Sequence, residues 1–186
     1  DTDFMKSNAM KIFRQVSTGL AYMHANGWVH ADVKADNVLV NQVGELRIID
    51  FAISKKIVTG ISRWFAKKAK VAQGTPSFMS PEQIRGGWLD GRADIYSLGA
   101  TMYELLTFRP PFRGNTTKDL LEKHIRDKVE SPQNYNKELT DEISALLVKM
   151  LAKKPEDRPQ TCHDVLIALR KMRVYKTDPY PDEMMM

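Results

Sequence analysis

The sequence predicts a mainly α-helical domain that carries one small β-hairpin. Long stretches repeat apolar residues every three or four positions, as amphipathic helices do. Two short apolar runs, Val38-Leu39-Val40 and Leu46-Arg47-Ile48-Ile49, flank a polar connection that contains Gly44, which is typical of a hairpin. With 186 residues, 42% hydrophobic and 27% charged, the chain is long enough to build one sizeable core.

The helices can be placed in order along the chain. The first is predicted from Met5 to Met23, where apolar residues recur on one face and Asn26-Gly27 supplies a stop signal. A nearly all-apolar helix from Asp94 to Leu106 belongs in the middle of the domain, because it has no polar face to turn to water. Shorter helical segments are predicted to begin at Ser80-Pro81 and to cover Thr116–Val129, Thr140–Leu151 and Thr161–Met172.

The net charge of +5 comes from one segment and not from the whole chain. Between Asp50 and Gln73 the basic residues have no acidic neighbour, so the rest of the chain sums to about −1. This basic stretch, with Trp64 and Phe65 inside it, is most simply a long solvated loop, and no nucleic-acid partner is expected. Its basic residues are Lys55, Lys56, Arg63, Lys67, Lys68 and Lys70.

Two further features bear on the compartment. No apolar run reaches the roughly 20 residues that span a bilayer, so no membrane span is expected. The single cysteine, Cys162, cannot form an internal disulfide, which suits a reducing compartment. The sequence therefore predicts a cytoplasmic protein.

Four polar residues are expected to meet beside the predicted hairpin. Asp32, Lys34 and Asn37 precede its first strand, and Asp50 follows its second. Antiparallel pairing folds the chain back and brings Asp50 next to Asn37 and Asp32. Two carboxylates, an amide and a lysine in one place are suited to a divalent cation and a phosphate.

Several short motifs follow one another at and after this place. His30-x-Asp32-x-Lys34-x-x-Asn37 comes first, and then Asp50-Phe51, Gly74-Thr75-Pro76, Pro81-Glu82, Asp94-x-Tyr96-Ser97-Leu98-Gly99 and Pro155-Glu156-Asp157-Arg158-Pro159. In this order they resemble the catalytic half of the eukaryotic-type protein kinases. The resemblance extends from about Met5 to Met172, nearly the whole chain.

The resemblance implies a protein kinase-like C-terminal lobe over residues 1–176, with a flexible tail over 177–186. It implies an enzyme that transfers the γ-phosphate of ATP to serine or threonine hydroxyls of a protein substrate, with Mg²⁺ as the metal. Lys34 together with Thr75 points to serine/threonine and not to tyrosine substrates.

The resemblance also assigns roles to single residues. Asp32 would accept or orient the substrate hydroxyl, and Lys34 would neutralise the moving phosphoryl group. Asn37 and Asp50 would hold Mg²⁺, and Leu39 would lie under the adenine. Further roles are a buried stack of His30 on Phe51, a substrate-facing position for Thr75, an ion pair of Glu82 with Arg158, and an anchor for the His30–Asp32 loop at Asp94.

Two positions depart from the family pattern. Ala31 stands where the family has an arginine that pairs with a phosphorylated residue of the activation segment. We therefore expect that this phosphorylation is not needed, or works through another cation. Ala52 stands where the family has glycine; because alanine makes a positive φ costlier, flipping of this segment is expected to be restricted.

The motifs of the family's other half, a glycine-rich phosphate loop and a strand lysine, do not occur in this sequence. Since the family's nucleotide lies between two lobes, the expected partner is the N-terminal lobe of the same parent chain. The 186 residues alone are then expected to show negligible phosphotransfer.

Two other interpretations stay open. The lobe could belong to a pseudokinase or scaffold that binds protein partners, although the presence of Asp32, Lys34, Asn37 and Asp50 argues against this. The basic loop could act as a binding module for nucleic acid, an acidic protein or an anionic membrane.

Overall fold

The computed structural model describes residues 2–58 and 73–178. Within them the chain forms α1 (Thr2–Ala25), α2 (Pro81–Ile84), α3 (Gly91–Thr107), α4 (Thr117–Arg126), α5 (Asp141–Met150) and α6 (Cys162–Arg170). The strands are β1 (Trp28–Val29), β2 (Val38–Val40), β3 (Leu46–Ile48) and β4 (Lys55–Lys56). Single 3-10 turns occur at Ala35–Asn37, Pro76–Phe78, Pro132–Asn134 and Pro155–Asp157. The predicted mainly helical class is confirmed.

Helix α3 is the centre of the core, as its nearly all-apolar sequence predicts. It contacts α1, α5 and α6, and Ile95, Leu98 and Met102 are buried in the largest apolar cluster. It begins three residues before the predicted start because Asp90 caps it, accepting a hydrogen bond from the backbone N–H of Arg92.

Helix α1 carries the predicted apolar face and is longer than predicted at both ends. Ile12, Phe13, Val16 and Leu20 are all buried on this face, which packs on α6 and α3. The helix ends before Gly27, whose φ of +80° is the left-handed conformation that favours glycine after a helix.

Three of the later helices begin with threonine N-caps, at Thr116, Thr140 and Thr161. At Thr161 the side chain accepts the N–H of Asp164, and the Asp164 carboxylate accepts the N–H of Thr161, which is the predicted capping box. Thr116 also caps its helix, but Asp119 accepts the N–H of Asn115 at 3.0 Å, so the box predicted there is not closed.

The predicted hairpin is present. Strands β2 and β3 pair antiparallel with Val38 opposite Ile48 and Val40 opposite Leu46. Only one side of strand β2 packs against the core, although all three of its residues are apolar. Val38 and Val40 pack against the helical core, whereas Leu39 points the other way and is 56% exposed, because successive strand residues face opposite sides.

A second strand pair was not predicted. Strand β1 pairs antiparallel with β4, with Trp28 opposite Lys56 and Val29 opposite Lys55. Two lysines of the basic stretch thus belong to a strand and not to a loop. Its other basic residues, Arg63, Lys67, Lys68 and Lys70, lie outside the described residues, as do Trp64 and Phe65.

The two ends of the chain can be described in part. The carboxylate of Asp178, in the segment predicted as a tail, accepts the N–H of Tyr175 at 2.8 Å. Residues 179–186 lie outside the described part, so the boundary at 176 stays a prediction. No helix in the described ranges combines the length and the apolar character needed to cross a membrane.

Helix α4 packs on α3 through a buried histidine. His124 has no exposed surface, its Nδ1 lies 2.9 Å from the Tyr96 hydroxyl, and its ring meets Phe112 edge-on at 4.9 Å between centroids. Burial, followed by the nearby Lys153 ammonium, lowers the pKa of His124 to about 4. His124 is therefore neutral at physiological pH.

This buried histidine predicts acid sensitivity. In the unfolded chain His124 titrates near its ordinary value of about 6.5, so below this pH the unfolded state takes up a proton that the folded state does not. The free energy of unfolding then falls as the pH drops from about 6.5 towards 4, by about 2–3 kcal/mol from this group. In His124→Asn the amide oxygen can replace Nδ1 as the partner of Tyr96, and this part of the pH dependence should disappear.

Urea unfolding at pH 7 and at pH 4.5 measures the effect. His163→Asn is the matched control, because His163 is exposed on α6, and it should keep the wild-type pH dependence. The same pH dependence in wild type and in His124→Asn would contradict the prediction.

Candidate active site

A buried carboxylate fixes the loop that precedes the site. Asp94 on α3 has no exposed surface; its Oδ2 accepts the N–H of His30 and its Oδ1 accepts the N–H of Ala31, both at 2.8 Å. The Nε2 of His24 lies 2.8 Å from the same Oδ2. Ala31 has a φ of +67°, so these bonds hold a left-handed turn at a non-glycine residue immediately before Asp32. The anchor expected at Asp94 is present.

Asp32, Lys34 and Thr75 form a hydrogen-bonded triangle. Oδ1 of Asp32 accepts the backbone N–H and the hydroxyl of Thr75, each at 2.9 Å. Nζ of Lys34 lies 2.8 Å from the Thr75 hydroxyl and 3.3 Å from Oδ2 of Asp32. Burial acts to raise the pKa of Asp32, but the hydrogen bonds from Thr75 and Lys34 outweigh it and hold the pKa below its ordinary value. The carboxylate is therefore ionised at neutral pH.

Asn37 joins this triangle from the turn before β2. Its Nδ2 donates to the carbonyl oxygen of Asp32 at 2.8 Å and to the Asp32 carboxylate at 3.1 Å. Both bonds use the amide nitrogen, which leaves the Asn37 Oδ1 on the opposite side of the amide. The Asn37 carbonyl also accepts the N–H of Ile49 at 2.9 Å, so the hairpin register places Asp50 one residue beyond this contact.

Asp50 lies at the end of β3 in a left-handed conformation, with a φ of +62°. Its Oδ1 accepts the N–H of Ala52 at 3.2 Å, and the residue is exposed. Ala52 itself is not left-handed, and the restricted flipping expected from this alanine stays a prediction. Aspartate tolerates the left-handed conformation because its side chain accepts a hydrogen bond from the backbone N–H two residues on.

The oxygens of Asn37 and Asp50 fit a magnesium ion. Mg²⁺ prefers hard oxygen ligands and is usually held by one or two side-chain groups together with substrate phosphates and water. Across residues 2–58 and 73–178 no group of three or more His, Cys, Asp or Glu side chains forms a self-sufficient metal site. An amide oxygen and a carboxylate suit a magnesium ion that arrives together with a phosphate ligand.

The apolar residues assigned to the cleft are exposed. His30 is buried and its ring lies 5.3 Å from the ring of Phe51, but the rings are tilted by 59° and not stacked, and Phe51 is 52% exposed. The contact expected to be buried is therefore buried at His30 and half exposed at Phe51 among the described residues. Leu39 is likewise 56% exposed on the outer side of β2.

The ion pair between Glu82 and Arg158 is present and bidentate. Nη1 and Nη2 of Arg158 meet the two Glu82 oxygens at 2.8 and 2.9 Å. The arginine side chain has no exposed surface, and its guanidinium lies 4.9 Å from the ring centre of Tyr96. Backbone carbonyls of Arg92, Ala152 and Lys153 accept its remaining N–H groups. This contact secures α2 to the core beneath the site.

Two residues of this region, the half-buried His24 and the buried Gln83, were not anticipated from the sequence. His24 contacts Asp94, and Gln83 is 3% exposed and donates to backbone carbonyls on both sides of the site. Neither belongs to the motifs that carry the resemblance. The only sequence signal for Gln83 is its place as a polar residue directly after Pro81-Glu82 in a short helix.

Comparison with known proteins gives a consistent assignment. The family model of the protein kinase domain matches residues 1–168. The serine/threonine-protein kinase PknB of Mycobacterium leprae is 33% identical over 171 residues, which cover 92% of this chain and 27% of the relative. PknB of Mycolicibacterium smegmatis is 34% identical over 158 residues, 84% of this chain and 25% of the relative.

A probable serine/threonine-protein kinase of Streptomyces coelicolor is 35% identical over 148 residues, 80% of this chain and 22% of the relative. The chain thus spans about a quarter of the length of the curated relatives it matches. The family match covers most of the chain, and the site residues occur in its order. The chain therefore belongs to the protein kinase domain family.

Proposed function

We propose that this chain is the catalytic large lobe of a serine/threonine protein kinase. In the natural protein that contains it, the lobe takes part in the transfer of the ATP γ-phosphate to a serine or threonine hydroxyl of a protein substrate. The observation that carries the proposal is the triangle of Asp32, Lys34 and Thr75, with Asn37 bonded to it. An ionised acceptor, a cation and an amide at one point are the groups that phosphoryl transfer requires.

Each side chain has a defined task in the proposed reaction. Asp32 accepts a hydrogen bond from the substrate hydroxyl and orients it. General-base catalysis of this kind raises a rate by about 10²–10⁴-fold. Lys34 offsets negative charge beside Asp32. Asn37 and Asp50 hold magnesium, which when bound with ATP neutralises phosphate charge. Leu39, exposed beside Asn37, offers an apolar surface to the adenine.

The preference for serine and threonine rests on the contact between Lys34 and Thr75. Their hydrogen bond places the segment around Thr75 directly against Asp32. An acceptor hydroxyl on a short side chain reaches Asp32 with the substrate backbone close to this segment. The names of the relatives, which are serine/threonine-protein kinases, support the same preference.

A second lobe is part of the proposal. Leu39 and Phe51 are large apolar side chains that are both more than half exposed at the edge of the site. Such a surface fits an adenine and an N-terminal lobe of the same parent protein that cover it. Residues 1–176 then form the large lobe, and the ATP site is complete only when both lobes are present.

Asp32→Asn in the natural protein should lower kcat by about 10²–10⁴-fold with little change in the KM for ATP, because the amide cannot accept the substrate proton. Transfer of ³²P from labelled ATP to peptides that differ only in serine, threonine or tyrosine measures both the rate and the preference. Glu142→Gln, an exposed carboxylate on α5, is the control and should retain full activity. If the wild-type protein shows no phosphate transfer that depends on Asp32, a scaffold role would be favoured.

Asp50→Asn should affect the metal requirement. Loss of one carboxylate charge weakens Mg²⁺ binding, so the Mg²⁺ concentration for half-maximal activity should rise at least about tenfold, and chelation should abolish wild-type activity. A magnesium titration at saturating ATP measures this. Asp178→Asn, whose carboxylate caps a turn at Tyr175 away from the site, serves as the control. An unchanged magnesium requirement in Asp50→Asn would exclude Asp50 as a ligand.

The 186-residue chain alone should transfer negligible phosphate, since half of the proposed nucleotide surface belongs to the second lobe. The measurement is ³²P transfer by the purified chain, with Asp32→Asn as the reference for background. Robust transfer that Asp32→Asn abolishes would show that this chain is sufficient.

A further inference from the structure

We propose that Gln83 is a positioning residue. Its side-chain amide joins the His30–Asp32 loop, called the catalytic loop below, to the segment around Thr75. Gln83 lies in α2 and is 3% exposed. Its Nε2 donates to the carbonyl of Ala31 at 2.7 Å and to the carbonyl of Gln73 at 2.5 Å. One side chain thus bridges two segments that are more than 40 residues apart in the sequence. Where this inference concerns catalysis, it rests on the proposed function.

The chemistry of the bridge specifies an amide. A carboxamide nitrogen has two N–H groups, and here each one faces a backbone carbonyl. A carboxylate at Gln83 would set negative oxygens against both carbonyls, and an apolar side chain would leave both without this donor. The amide nitrogen is therefore assigned by its partners, since the flipped amide would oppose oxygen to oxygen.

The peptide groups of Ala31 are held on both sides. Its N–H is bound by the Asp94 carboxylate and its carbonyl by Gln83, and its φ is +67°. A non-glycine residue keeps this conformation only where its surroundings impose it. Gln83 and Asp94 together impose it at the residue before Asp32.

The bridge lies at a close junction of backbones. Gly74 has a φ of +131°, and a Cβ at this position would lie 2.7 Å from Nε2 of Gln83 and 3.2 Å from the carbonyl oxygen of Ala31. No side chain fits there without displacing the amide. The segment can approach the catalytic loop this closely only because residue 74 is glycine.

Gln83 is itself held in place. Its backbone N–H bonds to the Ser80 hydroxyl at the start of α2, and the preceding residue, Glu82, makes the bidentate pair with buried Arg158. The bridge is therefore tied to the core of the lobe. It connects this fixed point to both segments of the site.

The bridge has a direct consequence for the active site. Asp32 directly follows Ala31, and Thr75 lies two residues after Gln73. Asp32 and Thr75 are joined by two hydrogen bonds of 2.9 Å. By fixing Ala31 and Gln73, Gln83 sets the register in which Asp32 meets Thr75. The bridge carries no charge. It therefore holds this register without the cation that Ala31 lacks, and so without a phosphate paired to that cation.

Hydrogen exchange on the 186-residue chain tests the bridge without any catalysis. Gln83→Met has similar length and suits a buried site, but it donates no hydrogen bond. We expect the Thr75 N–H and its neighbours up to Phe78 to exchange at least about tenfold faster, while α3 and α5 keep their protection. Gln160→Met is the matched control, since Nε2 of Gln160 also donates to backbone carbonyls, those of Pro155, Glu156 and Arg158.

Unchanged exchange at Thr75 in Gln83→Met would overturn the bridge. A loss of protection spread over α3 and α5 would also overturn it, since the residue would then support the core in general. Gln83→Glu is the second variant; it keeps the shape of glutamine, and it should reproduce the faster exchange at Thr75.

Kinetics of the natural protein test the catalytic consequence. Gln83→Met should lower kcat by about 10–100-fold, with the KM for ATP changed by less than about threefold, because loss of the amide bridge displaces Asp32 and not the nucleotide. A wild-type kcat in Gln83→Met would overturn the positioning role. If wild type itself transfers no phosphate, the proposed function fails, while the exchange result still decides whether Gln83 forms the bridge.

Discussion

The buried carboxylate of Asp94 is the interaction on which the site depends. A charge without exposed surface is stable in a protein only when it is fully hydrogen-bonded. Asp94 meets this need with the N–H groups of His30 and Ala31 and with the ring of His24. Because Asp94 lies on α3, the most buried helix, the catalytic loop takes its position from the hydrophobic core. The left-handed turn at Ala31 follows from this contact, and the direction of Asp32 follows from the turn.

A second line of contacts reaches the site from the other side of the lobe. Arg158 is buried against Tyr96 and pairs with Glu82, which fixes α2. Gln83 on helix α2 in turn contacts the two segments that carry Asp32 and Thr75. Asp94 and Arg158 are both buried charged groups that contact backbone from distant parts of the chain. Together these contacts from the core hold the loops of the site in their conformation.

The sequence was sufficient for features that are set locally. The predicted pairing of the two apolar runs brings the chain before Asp50 against Asn37, which in turn contacts Asp32. Helix positions followed from apolar period and from caps such as Thr161. The family assignment made from the same motifs is confirmed.

Features set by distant contacts could not be predicted in this way. The pairing of β1 with β4 involves two residues on each side, too few to show a period. The role of Gln83 depends on carbonyl groups, which every residue has and no sequence pattern marks. The exposure of Phe51 depends on what covers its ring. The left-handed conformation of Asp50 depends on the hydrogen bond that its side chain accepts from the N–H of Ala52.

The hydroxyl of Thr75 has a consequence for how a substrate meets Asp32. Oδ1 of Asp32 already accepts a hydrogen bond from an alcohol at 2.9 Å, the same chemical group that a serine or threonine substrate brings. An incoming hydroxyl at this oxygen therefore exchanges one alcohol–carboxylate bond for another, with almost no net gain in hydrogen bonding. In the proposed reaction the affinity for a protein substrate must then come from surfaces away from Asp32, and the carboxylate is never left bare when the substrate departs.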